Sequence, residues 1–71
     1  MQTIGERIRS LREVNGVSQR ALARMIDFDH HTVFDVEHGR HLPNAIMLIA
    51  IAEAFGVTTD WILMGKEGKV S

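Results

Sequence analysis

The 71-residue sequence has no cysteine. Disulfides and thiolate-held metals are thereby excluded, and the composition fits a reducing compartment. Long apolar runs are missing too. The longest, residues 45–52, spans eight residues, against the roughly 20 that a membrane-spanning helix needs. Residues 1–7 lack the basic-then-apolar pattern of a secretory signal. A soluble, cytoplasmic chain is expected. No excess of positive charge is present either: eight Lys and Arg face nine Asp and Glu, for a net of −1. The total therefore points to no polyanionic partner, and only the distribution of charge can. Nor is there a nucleophile–base pair, a Gly-rich phosphate loop or a pair of carboxylates in a plausible cleft, so no enzyme and no cofactor is expected.

What the sequence does contain is helical periodicity. No stretch alternates long enough to suggest a strand, and five short helices account for roughly residues 3–64. Thr3 and Glu6 have capping-box spacing, opening a first helix with the stripe Ile4, Ile8 and Leu11. Arg7, Arg9 and Arg12 stand beside that stripe, and Gly16 stops the helix. Ser18 caps a second helix with apolar positions Ala21, Leu22, Met25 and Ile26. Asp29 caps a third, which runs to about Glu37, is ended by Gly39 and points Val33 and Val36 inward. Pro43 cannot continue a helix, and Asn44 caps a fourth, Ala45 to Phe55, ended by Gly56. This one is apolar almost all round, which predicts a place in the middle of the bundle. Thr58 caps a last helix through Trp61 to Gly65. The expected core is Leu22, Val33, Val36, Ile46, Ile49 and Phe55, with Met47 and Met64 as filler. Trp61 reads equally as core anchor or dimer contact. One all-α domain over residues 1–65 is expected, followed by a polar, frayed tail or linker start at 66–71.

The informative stretch is residues 18–37. Two short helices joined by a tight turn need a small residue where they approach, and Ala23 supplies it. Val33 and Val36 plug the third helix back onto the second, which leaves its remaining residues facing outward.

At this point the sequence resembles the lambda-repressor-like helix-turn-helix domains of phage repressors and small bacterial regulators, restriction–modification controllers among them. The resemblance covers nearly the whole chain. It lies in Ile4-Gly5-Glu6-Arg7-Ile8, Leu11-Arg12, Gly16-Val17-Ser18-Gln19, Leu22-Ala23, Val33, Glu37 with Gly39, Pro43, Ile49-Ala50, Ala54-Phe55-Gly56-Val57 and Asp60-Trp61-Ile62-Leu63 with Gly65. It implies a five-helix fold and a third helix that enters the major groove of double-stranded DNA N-terminus first. The positions matching base readers are His30, His31 and Asp35, with Phe34 at their margin. Gln19, Thr32, Arg40, His41 and Asn44 match phosphate contacts. Arg12 and Glu37 match a structural ion pair.

Three features depart from the family pattern. Asp27 stands where glycine is usual, so a left-handed residue there costs roughly 1 kcal/mol. The reader positions hold two histidines, a phenylalanine and an acid instead of the usual amides and cations. Residues 18–41 carry three arginines against four acids, a net of −1, although all four histidines also fall there.

Alternatives remain for several residues. His30 and His31 are base or phosphate contacts, or solvated residues at a helix start. Asp35 accepts from cytosine, repels phosphate, or pairs with His31 one turn away. Phe34 meets a thymine methyl or extends the core edge. His31, Asp35 and His38 on one helix are too spread to converge on a metal. If phosphates surround the histidines, DNA affinity rises as pH falls. The leading expectation is a sequence-specific regulator, repressor-like, that binds a palindromic operator as a homodimer. The alternative is a helix-turn-helix protein-interaction module that has lost DNA affinity.

Overall fold

The computed structural model describes residues 2–66. The five expected helices are present: α1 (Ile4–Val14), α2 (Gln19–Ile26), α3 (His30–Glu37), α4 (Ala45–Phe55) and α5 (Thr59–Met64). No strand occurs among the described residues. Most of the sequence-predicted tail, residues 67–71, lies outside the described residues.

Each helix starts where its cap does. Thr3 and Glu6 form the reciprocal capping box. Ser18, Asp29, Asn44 and Thr58 each accept a main-chain amide of the first turn that follows. Asp27 adopts φ 60° and ψ 46°, the left-handed conformation that the sequence reading expected there. The Phe28 amide then bonds back to the Ala23 carbonyl at 2.9 Å, closing α2 before the chain turns into α3. Phe28 itself packs against the core.

The core is Ile8, Leu22, Ala23, Ile26, Val33, Val36, Met47, Ile51, Ala52 and Ile62. Leu22, Val33 and Val36 stand where the sequence reading put them, and Phe55 and Trp61 pack on the core's margin. Two expected core residues do not belong to it. Ile46 and Ile49 are 71% and 52% exposed, because Met47 and Ile51 occupy the inner face of α4 instead. With apolar residues on both sides of that helix, periodicity could not select the buried one. Met25 and Met64 also lie outside, and among the described methionines only Met47 fills the core.

Two close approaches fix α1. A Cβ at Gly5 would fall 2.3 Å from the Val36 carbonyl oxygen, so only glycine lets α1 lie against the end of α3. Two residues on, Arg7 is buried although no acid pairs with it among the described residues. Its guanidinium donates to the carbonyls of Ile62, Gln2 and Leu63, each at 2.7 Å. The negative end of α5 thus replaces a carboxylate as its partner. Sequence reasoning set Arg7 beside the stripe and missed this role.

Candidate nucleic-acid interface

The inner face of α3 is fixed by packing and by one ion pair. Val33 and Val36 are sealed in the core, and Glu37 is buried behind them. Arg12 reaches Glu37 with both arms of its fork, at 2.7 Å and 3.1 Å, and donates a third hydrogen to the Val17 carbonyl at 3.0 Å. The Gln19 side-chain amide adds a bond to Glu37 Oε1 at 3.0 Å. Hydrogen bonding to Glu37 raises the Arg12 pKa further above its ordinary value, against the opposing effect of burial. A bidentate guanidinium–carboxylate pair with a neutral third partner holds geometry as well as charge. The end of α3 is thereby tied to α1 and to the first residue of α2.

The outer face of α3 is left to solvent and groups into two clusters. At the N-terminal end the rings of His30 and His31 stand 4.3 Å apart, and His30 Nδ1 is 3.6 Å from Asp29 Oδ1. Toward the C-terminal end the His38 ring stacks on Phe34 at 4.0 Å, and its Nδ1 lies 2.8 Å from the Phe34 carbonyl oxygen. Arg40 covers the same Phe34 ring, 5.3 Å from its centroid. The Arg40 guanidinium also approaches Asp35 at 3.4 Å.

Asp35 is therefore partnered by Arg40, not by His31 as the spacing had allowed. The row His31, Asp35 and His38 is likewise divided between the two clusters. Phe34 neither joins the core nor stands free. It is half-buried beneath His38 and Arg40.

The residues matched to phosphate contacts are dispersed around these clusters. Gln19 opens α2 with one amide hydrogen committed to Glu37. Thr32 is half-buried on α3. Arg40 and His41 are exposed in the loop after α3. Asn44, an exposed residue, uses its oxygen to cap α4 at 2.8 Å from the Met47 amide.

Sequence reasoning missed a further feature, an open cleft beside the start of α3. It is lined by Arg20, Ala23, Arg24, Phe28, Asp29 and His30. The signal was available in Arg20 and Arg24, two cations one turn apart on α2.

The family model described as a helix-turn-helix domain matches residues 5–68. The HTH-type transcriptional regulator DicA of Escherichia coli (strain K12) is 37% identical over 67 residues, covering 94% of this chain and 50% of that protein. The HTH-type transcriptional regulator RamB of Mycobacterium tuberculosis (strain CDC 1551 / Oshkosh) is 37% identical over 54 residues, 76% of this chain and 11% of that protein. The chain thus spans half or less of the length of these curated relatives.

Among solved structures, the P22 c2 repressor in complex with synthetic operator 9T superposes with a TM-score of 0.88 at 30% identity, covering 93% of this chain and all of that one. The restriction–modification controller protein C.AhdI from Aeromonas hydrophila superposes with a TM-score of 0.78 at 28% identity, covering 84% and 91% of the two chains. The match runs over nearly the whole described domain, and the chain belongs to the helix-turn-helix domain family with a lambda-repressor-like fold.

Proposed function

We propose that this chain is the DNA-binding part of a transcriptional regulator, with α3 as its reading helix and no catalytic role. The observation that carries the reading is the division of α3 into a locked inner face and an outward polar one, in a domain that superposes on an operator-bound repressor. A helix that inserts into a groove must be rigidly backed, because a shift of its axis moves every side chain relative to the bases. Val33, Val36 and the Arg12–Glu37 pair supply that backing. His30 and His31 at the leading end offer donors to guanine N7 and O6, and Asp35 offers an acceptor to cytosine N4. Gln19, Thr32, Arg40, His41 and Asn44 are assigned to the flanking phosphates, which position the helix without reading sequence.

An eight-residue helix reads only a few base pairs. Specificity therefore calls for a homodimer on a palindromic operator, with half-sites about 34 Å apart. Repression follows from such binding wherever the operator overlaps a promoter, and the protein then works in the cytoplasm with the genome.

Arg40 tests the phosphate assignment. Arg40→Ala is expected to weaken specific and random duplexes alike and to lower the salt slope of binding by about one. An unchanged slope in an anisotropy titration would remove Arg40 from the interface.

A further inference from the structure

The six arginines of the chain divide by what they touch. Arg7 is consumed by main-chain carbonyls, Arg9 pairs with Glu13, Arg12 with Glu37 and Arg40 with Asp35. Arg20 and Arg24 have neither an acidic partner nor a side-chain hydrogen bond among the described residues. Both are exposed, and their spacing of four brings them to the same side of α2. They border the cleft that also includes Ala23, Phe28, Asp29 and His30. The Asp29 carboxylate in that cleft is engaged by α3 itself. Its Oδ1 accepts the His31 amide at 3.3 Å and lies 3.6 Å from His30 Nδ1.

We propose that this cleft seats a backbone phosphate of bound DNA, with Arg20 and Arg24 as its ligands. The proposal rests on the DNA-binding reading and extends the interface from α3 onto the outer side of α2. α3 has no lysine or arginine, and the charge of Arg40 beyond its end is partly met by Asp35. Attraction for a polyanion must then come from a neighbouring element, and these two guanidiniums are the unpaired ones next to the start of α3. Two forks one helical turn apart suit a tetrahedral phosphate, whose oxygens accept from both. His30 lies on the same rim, so a phosphate held there sets the angle at which the leading end of α3 meets the groove.

The test compares wild type with R20Q/R24Q, R20K/R24K, R40Q and R9Q. Each is titrated on a selected duplex and a random duplex between about 50 and 200 mM salt. Loss of one phosphate contact is expected to reduce the salt slope of R20Q/R24Q by about 0.9. The two duplexes should weaken by the same factor, so that discrimination between them is preserved. R20K/R24K is expected to keep the wild-type slope, and R9Q, whose arginine is paired on α1, is expected to keep it too. An R20Q/R24Q slope equal to wild type, with a reduced slope for R40Q, would place the cleft outside the interface and leave the DNA reading intact. Absence of salt-dependent binding by wild type to any duplex would overturn the proposal together with that reading.

Discussion

α3 and α4 both carry apolar residues on their buried sides, and they differ in what lies opposite. α3 buries Val33 and Val36, turns His31 to solvent and leaves Asp35 to Arg40. α4 buries Met47, Ile51 and Ala52 and still leaves Ile46 and Ile49 outside. A polar outer face identifies the inner one, whereas an apolar outer face conceals it. If α3 reads DNA as proposed, its amphipathicity serves both packing within and recognition without. α4 is shaped by packing on one side alone, and its outer isoleucines follow no rule visible in the period.

The largest effect is expected at the inner end of α3. Glu37→Ala leaves the Arg12 guanidinium without its acid in a setting where the arginine side chain is only 13% exposed, and should cost about 3–5 kcal/mol. Chemical denaturation measures this. A loss below about 1 kcal/mol would mean that the pair does not anchor α3.

On α4, Ile51→Ala should cost about 2–5 kcal/mol, since its side chain is wholly buried. Ile49→Ala should fall within about 0.5 kcal/mol, the range of exposed positions. Equal losses at the two isoleucines would show that the outer face of α4 is covered in solution and would erase the contrast with α3.

The outer face of α3 should give the opposite pattern. His31→Ala is expected to leave stability within about 0.5 kcal/mol. It should nonetheless reduce affinity for the preferred duplex by about 1–3 kcal/mol and relax base choice at one position. If His31→Ala kept the wild-type ratio between preferred and random duplexes, His31 would not be a reader.

The smallest effect concerns the start of α1, the helix on which the end of α3 rests. Glu6 is fully exposed, and its pKa is held below the ordinary 4.5, first by the Thr3 main-chain amide and then by the Thr3 hydroxyl. A lowered value means a contribution fully present above pH 4.5 and lost as pH falls through the folded-state value. The difference in Tm between wild type and Glu6→Gln is therefore expected to close on acidification below that point. A gap that stayed constant from pH 7 to pH 3 would remove the carboxylate's charge from the capping box.

The helix starts were legible because each cap is a local signal: Thr3, Ser18, Asp29, Asn44 and Thr58 act within one turn of themselves. The left-handed Asp27 was legible through its position in the family pattern. What escaped depended on distant parts of the chain. Nothing near Arg7 says that its partners are the carbonyls of Ile62 and Leu63, more than 50 residues away. Gly5 carried a signal that went unused, since a glycine inside a helix costs about 1 kcal/mol against alanine and persists for a packing reason. On the candidate interface, the i, i+4 spacing suggested His31 with Asp35, and a residue beyond the helix end took the carboxylate instead. The stacking of His38 on Phe34 follows the same spacing and could have been read from it.

The central claim is that the outer face of α3 reads duplex DNA. Selection of bound duplexes from a random pool at low salt, by wild type and by a His31→Ala/Asp35→Ala variant in parallel, tests it most directly. Wild type should enrich a two-fold-symmetric sequence with half-site centres about 10 base pairs apart, and the variant should lose preference inside each half-site while still binding DNA. Failure of wild type to enrich any sequence, or an identical enriched sequence from both proteins, would contradict it.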